Sequence, residues 1–170
     1  MSARGNSRSG FTAIEMMIVL GVMIALSSMA VPALMPALRR ARVNDAANAI
    51  VTAHSDARRL ALSAPSSITY GVKIATKTID GQTRQAIILI RNNSEIENSE
   101  RLVTPSALIQ GQTNSPKWYY ESGTGYPTAS PGGGMQNIDL RVRSVDATAL
   151  GKYRTAVTIY AIGIGHAQDI

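Results

Sequence analysis

The chain has no cysteine, which excludes disulfide bonds, thiolate metal centres and cysteine nucleophiles. Histidine is scarce too: His54 and His166 are the whole supply, too few for a histidine-based metal cluster. Charged residues make up 16% against 45% apolar ones, so the chain is not a disordered polyelectrolyte. Acidic residues are missing before Glu15, and residues 16–38 carry no formal charge. The 17 Lys and Arg exceed the 11 Asp and Glu, but they are scattered from Arg4 to Arg154 and mark no single acidic partner. A length of 170 residues leaves room for one domain of ordinary size with an appendage.

What is present is concentrated in the first forty residues. Residues 1–10 form a short polar, basic stretch containing Arg4 and Arg8. Phe11-Thr12-Ala13-Ile14-Glu15 follows, and then the 23 uncharged residues 16–38. As a helix these would extend ~34 Å at ~1.5 Å per residue, enough for a hydrocarbon core of about 30 Å. The expectation is a membrane-spanning helix, kinked where Pro32 and Pro36 remove backbone donors. Ser28-Met29-Ala30 has the small-x-small form of a secretory cleavage site, but more apolar chain follows it, unlike a signal peptide. Glu15 is the anomaly, because a carboxylate at mid-membrane costs roughly 2.5–3.5 kcal/mol. At its simplest it marks the interfacial end of the helix.

Gly10-Phe11-Thr12-x-x-Glu15, after a basic leader and before some twenty apolar residues, resembles the type IV prepilin signature. That family comprises type IV pilins and the pseudopilins of type II secretion systems. The resemblance implies cleavage between Gly10 and Phe11 by a membrane-embedded aspartyl prepilin peptidase, which also methylates the new N-terminus on Phe11. It places Glu15 fifth from that terminus, at the family's acidic assembly position. The implied organisation is a cleaved leader at 1–10, a transmembrane and assembly helix at 11–38, and a periplasmic α+β pilin-like domain at 39–170. The implied localisation is single-pass in the inner membrane, then the filament. Implied partners are other pilins or pseudopilins, the peptidase/methyltransferase, an inner-membrane assembly platform and membrane lipid, with no cofactor.

Elementary electrostatics fits that role. A neighbour displaced by about one helical turn, ~5.4 Å, brings its new amine level with Glu15. At ~4 Å and an effective dielectric near 20 the attraction is about 4 kcal/mol before desolvation. Basic residues sit awkwardly with the family's orientation. Arg39, Arg40 and Arg42 follow the apolar segment whereas the leader holds two Arg, so counting them alone favours an inside C-terminal domain.

From Arg39 to about Ala64 a helical period continues without Gly or Pro. Val43, Ala46, Ala47, Ile50, Ala53, Ala57, Leu60 and Ala61 recur every three or four residues, predicting an amphipathic half that lies on a sheet. His54 lies on or beside that stripe as a partly buried residue, and Pro65 ends the helix. The period then changes to two over Ile68, Tyr70, Val72 and Ile74. Asp80-Gly81 supplies a hairpin turn into residues 85–91. Residues 92–101 read as a loop, and 102–109 as an edge strand broken by Pro105. Residues 111–134, rich in Gly and Pro, read as a long loop anchored by Trp118-Tyr119-Tyr120. Gly132-Gly133-Gly134 is no phosphate loop, since no Lys-Ser/Thr follows. Residues 138–143 and 153–164 read as the last two strands, with His166 in a solvated tail.

The predicted fold class is α+β: one long N-terminal helix, its outer half packed on an antiparallel β-sheet. Asp56-Ala57-Arg58-Arg59-Leu60-Ala61 leading into a β-hairpin is similar to the H-type minor pseudopilins, the GspH/FimT group. The resemblance implies a structural minor pseudopilin taking part in protein export. The alternative is a type IV pilus minor pilin, FimT-like, acting in pilus assembly or DNA uptake. Arg141, Arg143, Lys152 and Arg154 are the candidate phosphate contacts for that alternative. No catalytic triad, carboxylate pair or nucleotide motif is evident, so enzymatic activity is not expected.

Overall fold

A computed structural model describes residues 11–105, 107–111, 116–145, 154–160 and 164–169. The chain divides into two units, Met1–Leu38 and Arg39–Ile170. One helix, α1, runs Ala13–Ser63 and continues without a break through Pro32 and Pro36.

In the first unit the side chains of Ile14, Met17, Ile18, Met23, Ile24 and Leu26 are all more exposed than covered. Among the described residues, however, no helix is long and apolar enough to cross a membrane. This overturns the expected transmembrane helix at 11–38, and with it the single-pass inner-membrane localisation with a periplasmic C-terminal domain. Gly21, Ser27 and Ser28 dilute the apolar character of the described part of this segment.

The second unit is α+β, with the helix packed on antiparallel strands. Val43, Ala46, Ala47, Ile50, Ala53, Ala57 and Ala61 are buried, so the stripe at three- and four-residue spacing is the face that enters the core. Five of its seven members are alanine, which lets the helix backbone approach closely. At the helix end, the Ala61 carbonyl accepts from the Gly123 N–H at 3.1 Å, so a distant turn satisfies a terminal carbonyl.

The strands are β1 (Tyr70–Ile79), β2 (Gln82–Arg91), β3 (Ser94–Glu95), β4 (Arg101–Leu102), β5 (Ala107–Gln110), β6 (Lys117–Tyr120), β7 (Pro127–Thr128), β8 (Ile138–Ser144), β9 (Arg154–Ile159) and β10 (Gly165–Asp169). They form two antiparallel sheets, not one. The first has the order β3-β2-β1-β6-β7 with β4 also on β2, and the second β10-β9-β8-β5. Pro105 lies where the chain leaves β4 in the first sheet and enters β5 in the second. The predicted broken edge strand is therefore two strands in different sheets. Asp80 and Gly81, with φ of 52° and 71°, make the two-residue β1–β2 turn with both residues left-handed.

Three further readings change. Lys117–Tyr120 is not a loop anchor but a central strand, with Trp118 and Tyr120 in the core and Tyr119 on the opposite face. The predicted strand at 153–164 is shorter than expected, β9 at Arg154–Ile159, and a further strand, β10, follows at Gly165–Asp169. His166 is exposed as expected, yet it belongs to β10 and not to a tail. Ser94–Glu95 in the expected loop pairs with β2.

The first sheet is covered on both sides. Val72, Ile74, Ile87, Trp118 and Tyr120 face the helix, while Ile88, Ile90 and Tyr119 are buried on the other face. A Cβ on Gly71 would collide with the Trp118 carbonyl and lie 3.1 Å from the Tyr119 ring, so only glycine admits that ring there. Residues 92–100 close over this outer face. Lys73 binds Glu95 at 3.1 Å, Lys77 binds Glu100 at 2.7 Å, and the Tyr119 hydroxyl donates to Asn93 Oδ1 at 2.8 Å.

Candidate functional site

Phe11 and Thr12 precede α1, and Glu15 stands in its first turn. Glu15 Oε2 accepts from the Thr12 backbone N–H at 2.8 Å and from its hydroxyl at 2.9 Å. In return the Glu15 N–H donates to Thr12 Oγ1 at 3.3 Å. This reciprocal pair is a capping box that satisfies donors the helix leaves open. The bonds from Thr12, the backbone one foremost, hold the Glu15 carboxyl below the usual carboxylate range. An ionised acid at the positive end of a helix is also favoured by the dipole. The sequence reading missed this local role, although Thr-x-x-Glu before an apolar run was the available signal. Phe11 is 83% exposed, and Gly10 lies outside the described residues.

The second sheet gathers three of the four candidate phosphate contacts. Leu140 and Val142 point inward, so Arg141 and Arg143 share the outer face of β8. Arg143 and Arg154 are direct cross-strand partners, which puts two like charges opposite one another. The Nε of Arg143 is buried without a hydrogen-bond partner. Lys152 lies outside the described residues.

A third centre was legible only in part. His54, 3% exposed, places Nδ1 2.6 Å from the Tyr120 hydroxyl, which also lies 2.5 Å from Trp118 Nε1. Indole N–H can only donate, so the Tyr120 oxygen accepts it, while the direction of the Tyr120–His54 bond follows the imidazole tautomer. Burial pushes the Tyr120 phenol up, against smaller opposing effects of Trp118 and Arg58, so it stays protonated and able to donate. The arrangement joins helix to sheet and supplies no exposed nucleophile or base.

Among the described residues, clefts lie beside the helix. One, of about 400 Å³, is lined by His54, Ser55, Arg58, Arg59, Leu62, Ile164 and Gly165. Another, of about 560 Å³, is lined by the amides of Asn44, Asn48 and Gln168 with Thr155 and His166. Among the described residues no group of His, Asp and Glu is placed to hold a metal ion. No known family model matches the chain, and no curated protein or solved structure is significantly similar to it.

Proposed function

We propose that the chain is a structural subunit of a helical filament, a minor pseudopilin of a type II secretion pseudopilus taking part in protein export. The observation that carries this reading is the first half of α1, whose described apolar side chains are exposed and whose first turn holds a capping, ionised Glu15. Exposed apolar surface on that scale marks an interaction surface. Helices of neighbouring subunits, themselves apolar, are the partners that match it. Both capping bonds fall on Oε2, and the same ionised carboxylate is the group that would pair with the new amine of a neighbour's Phe11. Assembly, not catalysis, is then the work of these residues, with a prepilin peptidase cutting at Gly10–Phe11 beforehand.

The test has two parts. Mass spectrometry of subunits from native filaments should find chains that start at a methylated Phe11. Glu15→Ala should be processed normally yet fail to enter filaments. Material that keeps its first ten residues while working, or normal co-assembly of Glu15→Ala, overturns the reading.

A second reading, a type IV pilus minor pilin contacting DNA during uptake, is favoured by one specific observation. Arg143 and Arg154 face each other beside Arg141, an arrangement that a bound phosphate would relieve. A salt-sensitive gel shift decides it; no shift at low salt removes it.

A further inference from the structure

We infer that the cleft between the outer end of α1 and the start of β10 binds a carboxylate carried on an apolar body. Ser55, Arg58, Arg59 and Leu62 stand at steps of three and four along the helix and so line one wall together. Ile164 and Gly165 form the other wall, and the buried His54 ring forms the floor.

The charge in this cleft is not neutralised within it. Asp56 spends its close contact on Arg101, at 2.7 Å, and reaches Arg59 only at 3.9 Å. The Nε of Arg58 is buried and lacks a hydrogen-bond partner, so the guanidinium of this lining residue is not fully satisfied within the protein. Arginine is suited to the ligand because its planar fork matches a carboxylate. The apolar half of the ligand is specified by Leu62 and Ile164, which are 47% and 56% exposed at the same cleft.

Two glycines keep the site formed. A Cβ on Gly165 would stand 3.0 Å from His54 Cδ2 and fill the floor. Gly125, at φ +66°, packs so near that a Cβ there would lie 2.9 Å from Arg58 Cγ and 3.1 Å from Leu62 Cγ. The turn therefore braces both side chains from behind, which lowers the ordering cost of binding.

The floor carries its own reporter. His54 is bonded to Tyr120, and Tyr120 to Trp118, the single tryptophan of the chain. The full chain should be titrated with sodium octanoate and, separately, with inorganic phosphate while Trp118 emission is followed. Octanoate should give a saturable change and phosphate a weaker one. Arg58→Gln and Arg59→Gln should each weaken octanoate on the order of tenfold, the loss of one charge-assisted contact. Arg59 is exposed, so its variant keeps the fold and the test stands even if Arg58→Gln does not. No saturable response, an unchanged response in both variants, or phosphate binding tighter than octanoate overturns the proposal. Octanoate held by the apolar residues 11–38 would show itself as binding without a Trp118 response and counts against it.

Discussion

The side-chain amide of Gln85 pairs with Ile109 as a neighbouring strand would. Its Oε1 accepts from the Ile109 N–H at 2.6 Å and its Nε2 donates to the Ile109 carbonyl at 3.0 Å. Gln85 belongs to β2 of the first sheet and Ile109 to β5, the edge of the second, so one side chain stitches the sheets and blocks that edge. Replacing it by an apolar isostere leaves two backbone groups of a buried residue unmatched. Gln85→Leu should lower stability by about 2 kcal/mol or more, at ~1–3 kcal/mol per unmatched group. Urea denaturation measures this, and an unchanged midpoint refutes the stitch.

The Tyr120 hydroxyl serves two partners at once, so removing it should cost more than one ordinary hydrogen bond. Tyr120→Phe keeps the ring that fills the core but removes the acceptor of Trp118 Nε1–H and the hydroxyl bonded to His54 Nδ1. The expected loss is about 1–3 kcal/mol. Trp118 emission should shift as well, since the indole N–H loses a polar partner. A stable variant with unaltered emission would show the relay to be incidental.

Local periodicity carried the helix and the first hairpin, and distance hid the rest. The buried stripe from Val43 to Ala61 repeats every three or four residues and could be read directly, as could Asp80-Gly81. Lys117–Tyr120 could not, because four residues set among glycines and prolines are too short to display a period of two. Its place in the sheet depends on Gly71, which admits Tyr119 from across the ladder. Gln85 and Ile109 meet across a sequence separation of 24 with no pattern to announce them. Glu15 stands out in the sequence as an acid beside an apolar run, whereas its bond to Thr12 shows only in the Thr-x-x-Glu spacing.

The closure of residues 92–100 over the first sheet should depend on pH from both sides. Lys73 foremost, and Lys77 with it, holds the Glu95 carboxyl below its usual range. A depressed carboxyl stabilises the fold above its unfolded value, and that contribution is lost as pH falls through the folded one. Lys77 is raised, chiefly by its hydrogen bond to Glu100. Its contribution is complete below the unfolded lysine value, about 10.4, and is lost as pH rises through the folded one. Hydrogen exchange at Ile96, whose N–H bonds the Leu89 carbonyl at 2.9 Å, reports the closure. Protection should be greatest between the two limits and reduced by salt. A flat profile would show that the bond from the Leu89 N–H to Ser99 Oγ, at 3.2 Å, and that from Tyr119 to Asn93 suffice without the ion pairs.

The Arg143–Arg154 register poses a choice between stability and binding that one substitution resolves. Like charges directly opposite on antiparallel strands cost a few tenths to about 1 kcal/mol relative to neutral pairs. Threonine at 154 removes the repulsion and favours a strand, so Arg154→Thr should raise stability by about 0.5 kcal/mol. Were the arginines only a solvated strand face, that gain would come with no loss elsewhere. Should they instead grip phosphate, the variant should weaken DNA binding and lower its salt dependence by about one counterion. Parallel denaturation and gel-shift measurements separate the two. A more stable chain that still binds DNA unchanged would strip this face of any role in nucleic-acid contact.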